Sequence, residues 1–377
     1  MDRLQPPAHT LPSLAHPAFH QCFLHRPSHG SPQQVGYLEC GHPFGTPIFF
    51  IGGHGASRFF ALFFHEVALK HHTRFIWPER PGYGLSENAN VQPHTITEHA
   101  EMVGALADHL GIKQFGMLGN SLGGLYALAI LHRWPERVLG PVWLIAPWIS
   151  TKDSKLWLWI RWIPILAIRG IVGASYEIKH CWQLMTKRLK PERLHAQLTR
   201  LHINRPPPNY GSVHTRPSYE SDSTYASDVT SKQSTEIVSR RASWSFYRPY
   251  DKSGLKKSID VVPERECYCS VRAYSSSRNL WRRRLTHLVY ATPRGKGCTN
   301  DVLVALERPY PIPFAVESIK LPTIVYWSRK DWIIGENTIN WLEEHLDQCI
   351  IMTAVHDRWG HGDIMNTFVV SEILEAW

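Results

Sequence analysis

What this sequence lacks narrows its chemistry first. Its seven cysteines (Cys22, Cys40, Cys181, Cys267, Cys269, Cys298 and Cys349) are scattered and odd in number. None forms a pair at zinc-knuckle spacing, and Cys267-Tyr268-Cys269 has a single residue between its thiols, which is too few. Reduced thiols in an intracellular, cytoplasmic protein are expected, with no metal. Met1 to His20 is studded with proline and histidine and has no continuous apolar stretch, so no secretory signal is read there. Long hydrophobic runs are scarce too. The nearest, residues 156–174, carries Trp157, Trp159, Trp162 and Ile163 but is interrupted by Arg161, Pro164 and Arg169. It reads as an apolar cap helix lining a substrate channel, ahead of one resting on a lipid surface or spanning a membrane. No cofactor pattern and no nucleic-acid motif occurs.

An acidic excess is also missing. The net charge is +9, and residues 205–300 carry all of it, with 17 Lys/Arg against 8 Asp/Glu, while the remainder balances at 24 of each. That tract opens on Pro206-Pro207-Pro208 and is rich in Ser, Tyr and Arg, with Arg240-Arg241-Ala242-Ser243 and Trp281-Arg282-Arg283-Arg284 inside it. So little apolar periodicity predicts a disordered or loosely attached insertion over 205–299. Its basic runs would suit an anionic lipid surface or a basophilic kinase. A translated non-coding stretch is the bland alternative.

The rest of the chain is patterned. Residues 1–34 read as a loose lead-in with one candidate strand at Cys22-Phe23-Leu24. Residues 35–150 alternate strands and helices: Val35–Cys40, Pro47–Ile51, Thr73–Trp77 and Pro141–Ala146 as strands, and a helix opened by Thr95 and Glu98 as a capping box and closed by Gly111. A helical cap is expected over 151–204. The core resumes over 300–377 with strands at Thr323–Trp327 and Cys349–Val355. Alternation of this kind predicts an α/β fold: a mostly parallel twisted sheet, helices on both faces, and a cap inserted before the last two strands.

The chain is organised around Phe115 to Gly124, where an apolar run ends in Gly119-Asn120-Ser121-Leu122-Gly123 and a helical pattern begins at once. A serine held on such a strand-to-helix turn is exposed at the head of the sheet, beside a helix N-terminus that favours a developing oxyanion. A serine hydroxyl is a poor nucleophile near neutral pH, so a base must take its proton. His361 follows the last strand and is the favoured base, with His356 as rival. Asp331 follows the seventh strand and would orient that base, with Asp363 and Asp301 as alternatives.

These pieces resemble the α/β-hydrolase fold superfamily, in the branch that includes epoxide hydrolases, haloperoxidase-like esterases and monoacylglycerol lipases. The matching motifs are His54-Gly55-Ala56, Arg80-Pro81-Gly82-Tyr83-Gly84-Leu85-Ser86, the Ser121 turn, Asp331 and Gly360-His361, in the family's order over about half of the chain. The resemblance implies a triad of Ser121, Asp331 and His361. It implies an oxyanion hole from the N–H groups of Leu122 and Ala56, with His54, Gly55, Gly119 and Gly123 in support and Arg80 and Tyr83 shaping the loop beside the site. Epoxide hydrolases and haloalkane dehalogenases carry an aspartate where Ser121 stands, so a serine hydrolase acting on an apolar small-molecule ester or related acyl compound is expected. A scaffold without activity, binding a ligand or a partner, is the alternative.

Overall fold

The computed structural model describes residues 13–27, 31–88, 95–154, 158–172, 174, 276–292, 295–353 and 360–377. Eight strands form one sheet in the order β1-β2-β4-β3-β5-β6-β7-β8. They are β1 (Gln21–His25), β2 (Gln33–Gly41), β3 (Thr46–Ile51), β4 (Thr73–Pro78), β5 (Gly116–Asn120), β6 (Val142–Ile145), β7 (Thr323–Trp327) and β8 (Cys349–Thr353). From β4 to β8 every pairing is parallel, and β2 runs antiparallel to both of its neighbours. Central strands read as continuous apolar runs because both of their faces are covered: Ile48, Phe49, Phe50 and Ile51 are all buried, as is the whole of β6.

The helices are α1 (His65–Lys70), α2 (Ile96–His109), α3 (Leu122–Arg133), α4 (Thr151–Ser154), α5 (Ser276–Ala291), α6 (Gly295–Ala305), α7 (Glu336–His345) and α8 (Thr367–Glu375). The expected capping box opens α2: Thr95 Oγ1 accepts from the Glu98 N–H at 3.2 Å, and Glu98 Oε2 accepts from the Thr95 N–H at 2.7 Å. Gly111, at φ 68°, follows the helix as expected. α3 is buried from Leu122 to Leu131, as a helix must be when it packs on the sheet and is itself overlaid.

The candidate strand at Cys22-Phe23-Leu24 is present as β1, which pairs along its length with β2 and buries Phe23. Two other expectations are revised. The insertion does not extend to 299. Its last part forms α5, which buries Leu285, Leu288 and Val289 while Arg282, Arg283 and Arg284 stay exposed, and α6 has already begun at Gly295. Ser57 Oγ donates to the Val289 carbonyl at 3.3 Å, tying α5 to the loop after β3. Finally, the apolar stretch after α4 turns Ile160, Ile163, Ile165 and Ile168 inward and leaves Trp159, Trp162 and Ile171 exposed. Ile168 packs with Leu303 and Leu306 of the α6 region, joined by Ile160, Ile163 and Ile165. Trp159 and Trp162 are 64% and 88% exposed, so they stand in solvent instead of lining a channel. Trp157, the Arg240–Ser243 motif, the Pro206–Pro208 run and Cys181, Cys267 and Cys269 lie outside the described residues. Among the described residues, no helix is long and apolar enough to cross a membrane.

Candidate active site

Ser121 stands between β5 and α3 at φ 51° and ψ −126°, a region that L-residues seldom adopt. The strain is held by its surroundings. The Ser121 N–H donates to the Ile145 carbonyl at 2.9 Å, and its own carbonyl accepts from the N–H groups of Gly124 and Trp148 at 2.9 and 2.8 Å. The turn closes against neighbouring backbone so tightly that side chains are excluded. A methyl group on Gly123 would lie 2.1 Å from the Ile51 carbonyl oxygen, and one on Gly119 would lie 3.0 Å from Ala127 Cβ.

His361 Nε2 lies 2.9 Å from Ser121 Oγ, and His361 Nδ1 lies 2.7 Å from Asp331 Oδ2. Asp331 can only accept, so Nδ1 carries the proton and Nε2 is left to accept from the serine hydroxyl. The second carboxylate oxygen, Oδ1, accepts from the N–H groups of Ile333 and Ile334 at 2.9 and 2.8 Å, which fixes the carboxylate in the loop after β7. The Asp331 side chain is fully buried and that of His361 is 16% exposed. Residues that are 240 apart in sequence thus meet at the C-terminal ends of β5, β7 and β8.

The acid rivals have other work. Asp363 Oδ2 accepts from the Gly360 N–H at 3.2 Å, shaping the turn that carries His361. Asp301 lies at the centre of a separate buried network. His356 is outside the described residues.

That network surrounds the loop after β3. Arg80 is bidentate to Asp301, Nε to Oδ1 at 2.9 Å and Nη2 to Oδ2 at 2.7 Å, and it also donates to the carbonyls of Gly52 at 2.7 Å and Gly53 at 2.9 Å. The Tyr83 and Tyr126 hydroxyls donate to the same carboxylate, and His54 Nδ1 lies 3.7 Å from it. The Gly55 N–H in turn donates to the Tyr83 hydroxyl at 3.1 Å. Arg80 and Tyr83 do shape this loop. The expectation for Ala56 is corrected: its N–H is spent on the Gly53 carbonyl at 3.2 Å, closing the turn, and is not the free donor that an oxyanion would need.

Burial opposes ionisation of Asp301, yet Arg80 beside it, with help from His54, holds its carboxyl at about 2. Burial likewise opposes the charge on Arg80, but Asp301 outweighs it and pushes the guanidinium's pKa up. Burial, reinforced by that carboxylate, raises both tyrosines well above their ordinary value, so they remain donors. A carboxyl whose folded pKa is depressed contributes stability above its ordinary pKa and loses it as pH falls through the folded value. Acid titration should therefore destabilise the fold between 3.8 and about 2 through this group. Urea midpoints measured across that window should fall in the wild type and fall less steeply in Asp301→Asn. Parallel slopes would refute the assignment.

The sequence singles out Arg80, Tyr83 and Asp301 separately but does not show that they form one cluster, and it gives no sign of Tyr126. The available signal was Arg80 itself, since an arginine within a Gly/Pro loop at the sheet's head needs a buried acid if it is to be buried.

A family profile for the alpha/beta hydrolase fold matches residues 46–169. Haloalkane dehalogenase 2 of Mycobacterium tuberculosis is 36% identical over 88 residues, which cover 23% of this chain and 30% of the dehalogenase. The chain thus matches under a third of that relative's length. Among solved structures, a probable hydrolytic enzyme from Pseudomonas aeruginosa superposes with a TM-score of 0.56 at 13% identity, covering 95% of this chain and 94% of the other. A thermophilic esterase from Thermogutta terrifontis does so with a TM-score of 0.53 at 14% identity, covering 95% and 97%. Sheet order, the turn at Ser121 and these likenesses agree on the architecture: the chain has the α/β-hydrolase fold, and residues 46–169 match that family's profile.

Proposed function

We propose that this protein is a serine hydrolase that cleaves carboxylic esters or related acyl compounds through an acyl-enzyme intermediate. The observation that carries the reading is the run of contacts from Ser121 Oγ through the His361 ring to Asp331. In the first step Ser121 Oγ attacks the acyl carbon as its proton passes to His361 Nε2. The tetrahedral oxyanion is held by the Leu122 N–H at the start of α3, where the helix dipole adds to the bond. Collapse expels the alcohol, which takes the proton from His361. Water then attacks the acyl-enzyme with His361 again as base, and the acid leaves with Ser121 restored. Asp331 keeps the imidazole in the required tautomer and stabilises the imidazolium.

The likeness to a haloalkane dehalogenase does not extend to that enzyme's reaction in this reading. Direct displacement of halide from carbon is served by a carboxylate nucleophile, whereas a serine backed by a histidine suits acyl transfer. The test is mass spectrometry of the purified protein after treatment with a fluorophosphonate. One equivalent of adduct on the peptide containing Ser121, together with turnover of p-nitrophenyl butyrate, is the expected result. A folded protein that neither labels nor turns over would favour the inactive scaffold.

An apolar acyl group is part of the proposal. A series of p-nitrophenyl esters tests it: kcat/KM should rise from the acetate to the octanoate, because each added methylene is removed from water on binding, and a fall with chain length would remove the apolar preference.

A further inference from the structure

Asp301 touches none of Ser121, His361 and Asp331, yet it is fully buried and ionised, and four polar side chains converge on it. An isolated salt bridge of this kind contributes little net stability once desolvation is counted, so its place in the molecule calls for another reason. The partners supply one. Arg80 makes all of its bonds in two directions, toward Asp301 on one side and toward the Gly52 and Gly53 carbonyls on the other. In a trans peptide the N–H points opposite to the preceding carbonyl. With the Gly52 and Gly53 carbonyls drawn to the guanidinium, the N–H groups of Gly53 and His54 are turned away from it. Gly53 also packs directly on the nucleophile, since a methyl group there would lie 3.0 Å from Ser121 Cβ.

Resting on the reading of Ser121 as nucleophile, we infer that Asp301 is a positioning residue: through Arg80 it orients the Gly52–Gly53–His54 peptides so that an N–H joins that of Leu122 on the oxyanion. Asp301 anchors the guanidinium, and the guanidinium anchors the carbonyls. Tyr83 adds a second tie from the same carboxylate to the same loop, through the Gly55 N–H. The carboxylate rides on α6, at the far end of the insertion. The second oxyanion donor is therefore set by a helix that the chain reaches only after α5, and a displacement of α6 would loosen the site without moving the triad.

The test uses Asp301→Asn and the milder Tyr126→Phe in the full chain. For Asp301→Asn, kcat on p-nitrophenyl butyrate should fall by about a hundredfold with KM nearly unchanged, the size of effect seen when an oxyanion donor is lost. Affinity for a trifluoromethyl ketone, whose adduct carries the oxyanion, should fall by the same factor. Tyr126→Phe should show the same pattern at about a tenfold scale, since one hydrogen bond to a charged group is removed. Hydrogen exchange at the Gly53 and His54 amides should quicken in both variants, and this readout needs no turnover. Wild-type kcat in a folded variant, a fall in kcat without a fall in ketone affinity, or unchanged exchange would each overturn the inference. If Asp301→Asn does not fold, Tyr126→Phe decides alone. A wild type that never labels with fluorophosphonate would remove the hydrolase reading, and the exchange result would still settle whether Asp301 holds the loop.

Discussion

Ser121→Ala should lower kcat on p-nitrophenyl butyrate by about 10⁶-fold while the protein keeps its fold and melting temperature. The magnitude follows from the way such residues act as a unit: removing the nucleophile or its base alone costs nearly as much as removing both. The fold should survive because alanine keeps the Cβ that already occupies the turn at φ 51°, and only Oγ and its bond to His361 are lost. His361→Ala should fall to the same floor, and the double variant should fall no further. What remains above the uncatalysed rate reports the oxyanion donors, and this residue should shrink again when Asp301→Asn is added. A Ser121→Ala protein that retains more than about a hundredth of wild-type kcat would show that another group attacks the substrate.

The largest effect on stability is expected at Glu79→Ala, at a side chain whose hydrogen bonds go to Arg58 and the Leu85 amide and not to the triad. Both carboxylate oxygens of Glu79 accept from Arg58 Nη1, at 2.8 and 2.9 Å, and Oε2 also accepts from the Leu85 N–H at 2.8 Å. The side chains of Arg58 and Glu79 are 4% and 1% exposed. Removing the acid leaves a guanidinium in the core with the Phe19 carbonyl, a 3.4 Å contact to His20 and the face of Phe59 for company. Stranding one partner of a buried pair costs about 3–5 kcal/mol, whereas replacing both with apolar residues is often nearly neutral. The urea midpoint of Glu79→Ala should therefore collapse, and Arg58→Met combined with Glu79→Leu should recover most of the loss. A double variant as unstable as the single one would mean that Glu79 acts through the Leu85 amide and not through its ion pair.

The contrast between these sites explains what could be read from the sequence. Ser121 was legible because steric demand writes itself into neighbouring letters: Gly119 and Gly123 are required by backbone that approaches within van der Waals contact. The sheet was legible because strands covered on both faces must be apolar throughout, as β3 and β6 are. Asp301 was not, since the partner of a buried arginine is chosen by tertiary geometry, here 221 positions away. α5 was hidden by averaging. Leu285, Leu288 and Val289 stand at helical spacing, but they sit among arginines that make the whole tract look solvated. The fate of Ala56 was illegible for a third reason: which N–H of a glycine-rich loop is left free depends on where its carbonyls are drawn, and Arg80 decides that from outside the motif.

Val142 on β6 lies beside Thr323 on β7, so everything between Ala146 and Pro322 is a single excursion leaving and rejoining adjacent strands. The entropy of closing such an excursion grows only with the logarithm of its length, and doubling it costs about 0.6 kcal/mol. The sheet is therefore almost indifferent to how much chain is stored there, provided α6 returns Asp301 to the Arg80 guanidinium. Insertions and deletions at this point are cheap thermodynamically and are filtered instead by whether one carboxylate comes home. On this entropic ground the junction should tolerate a change of length better than the short turns elsewhere in the sheet.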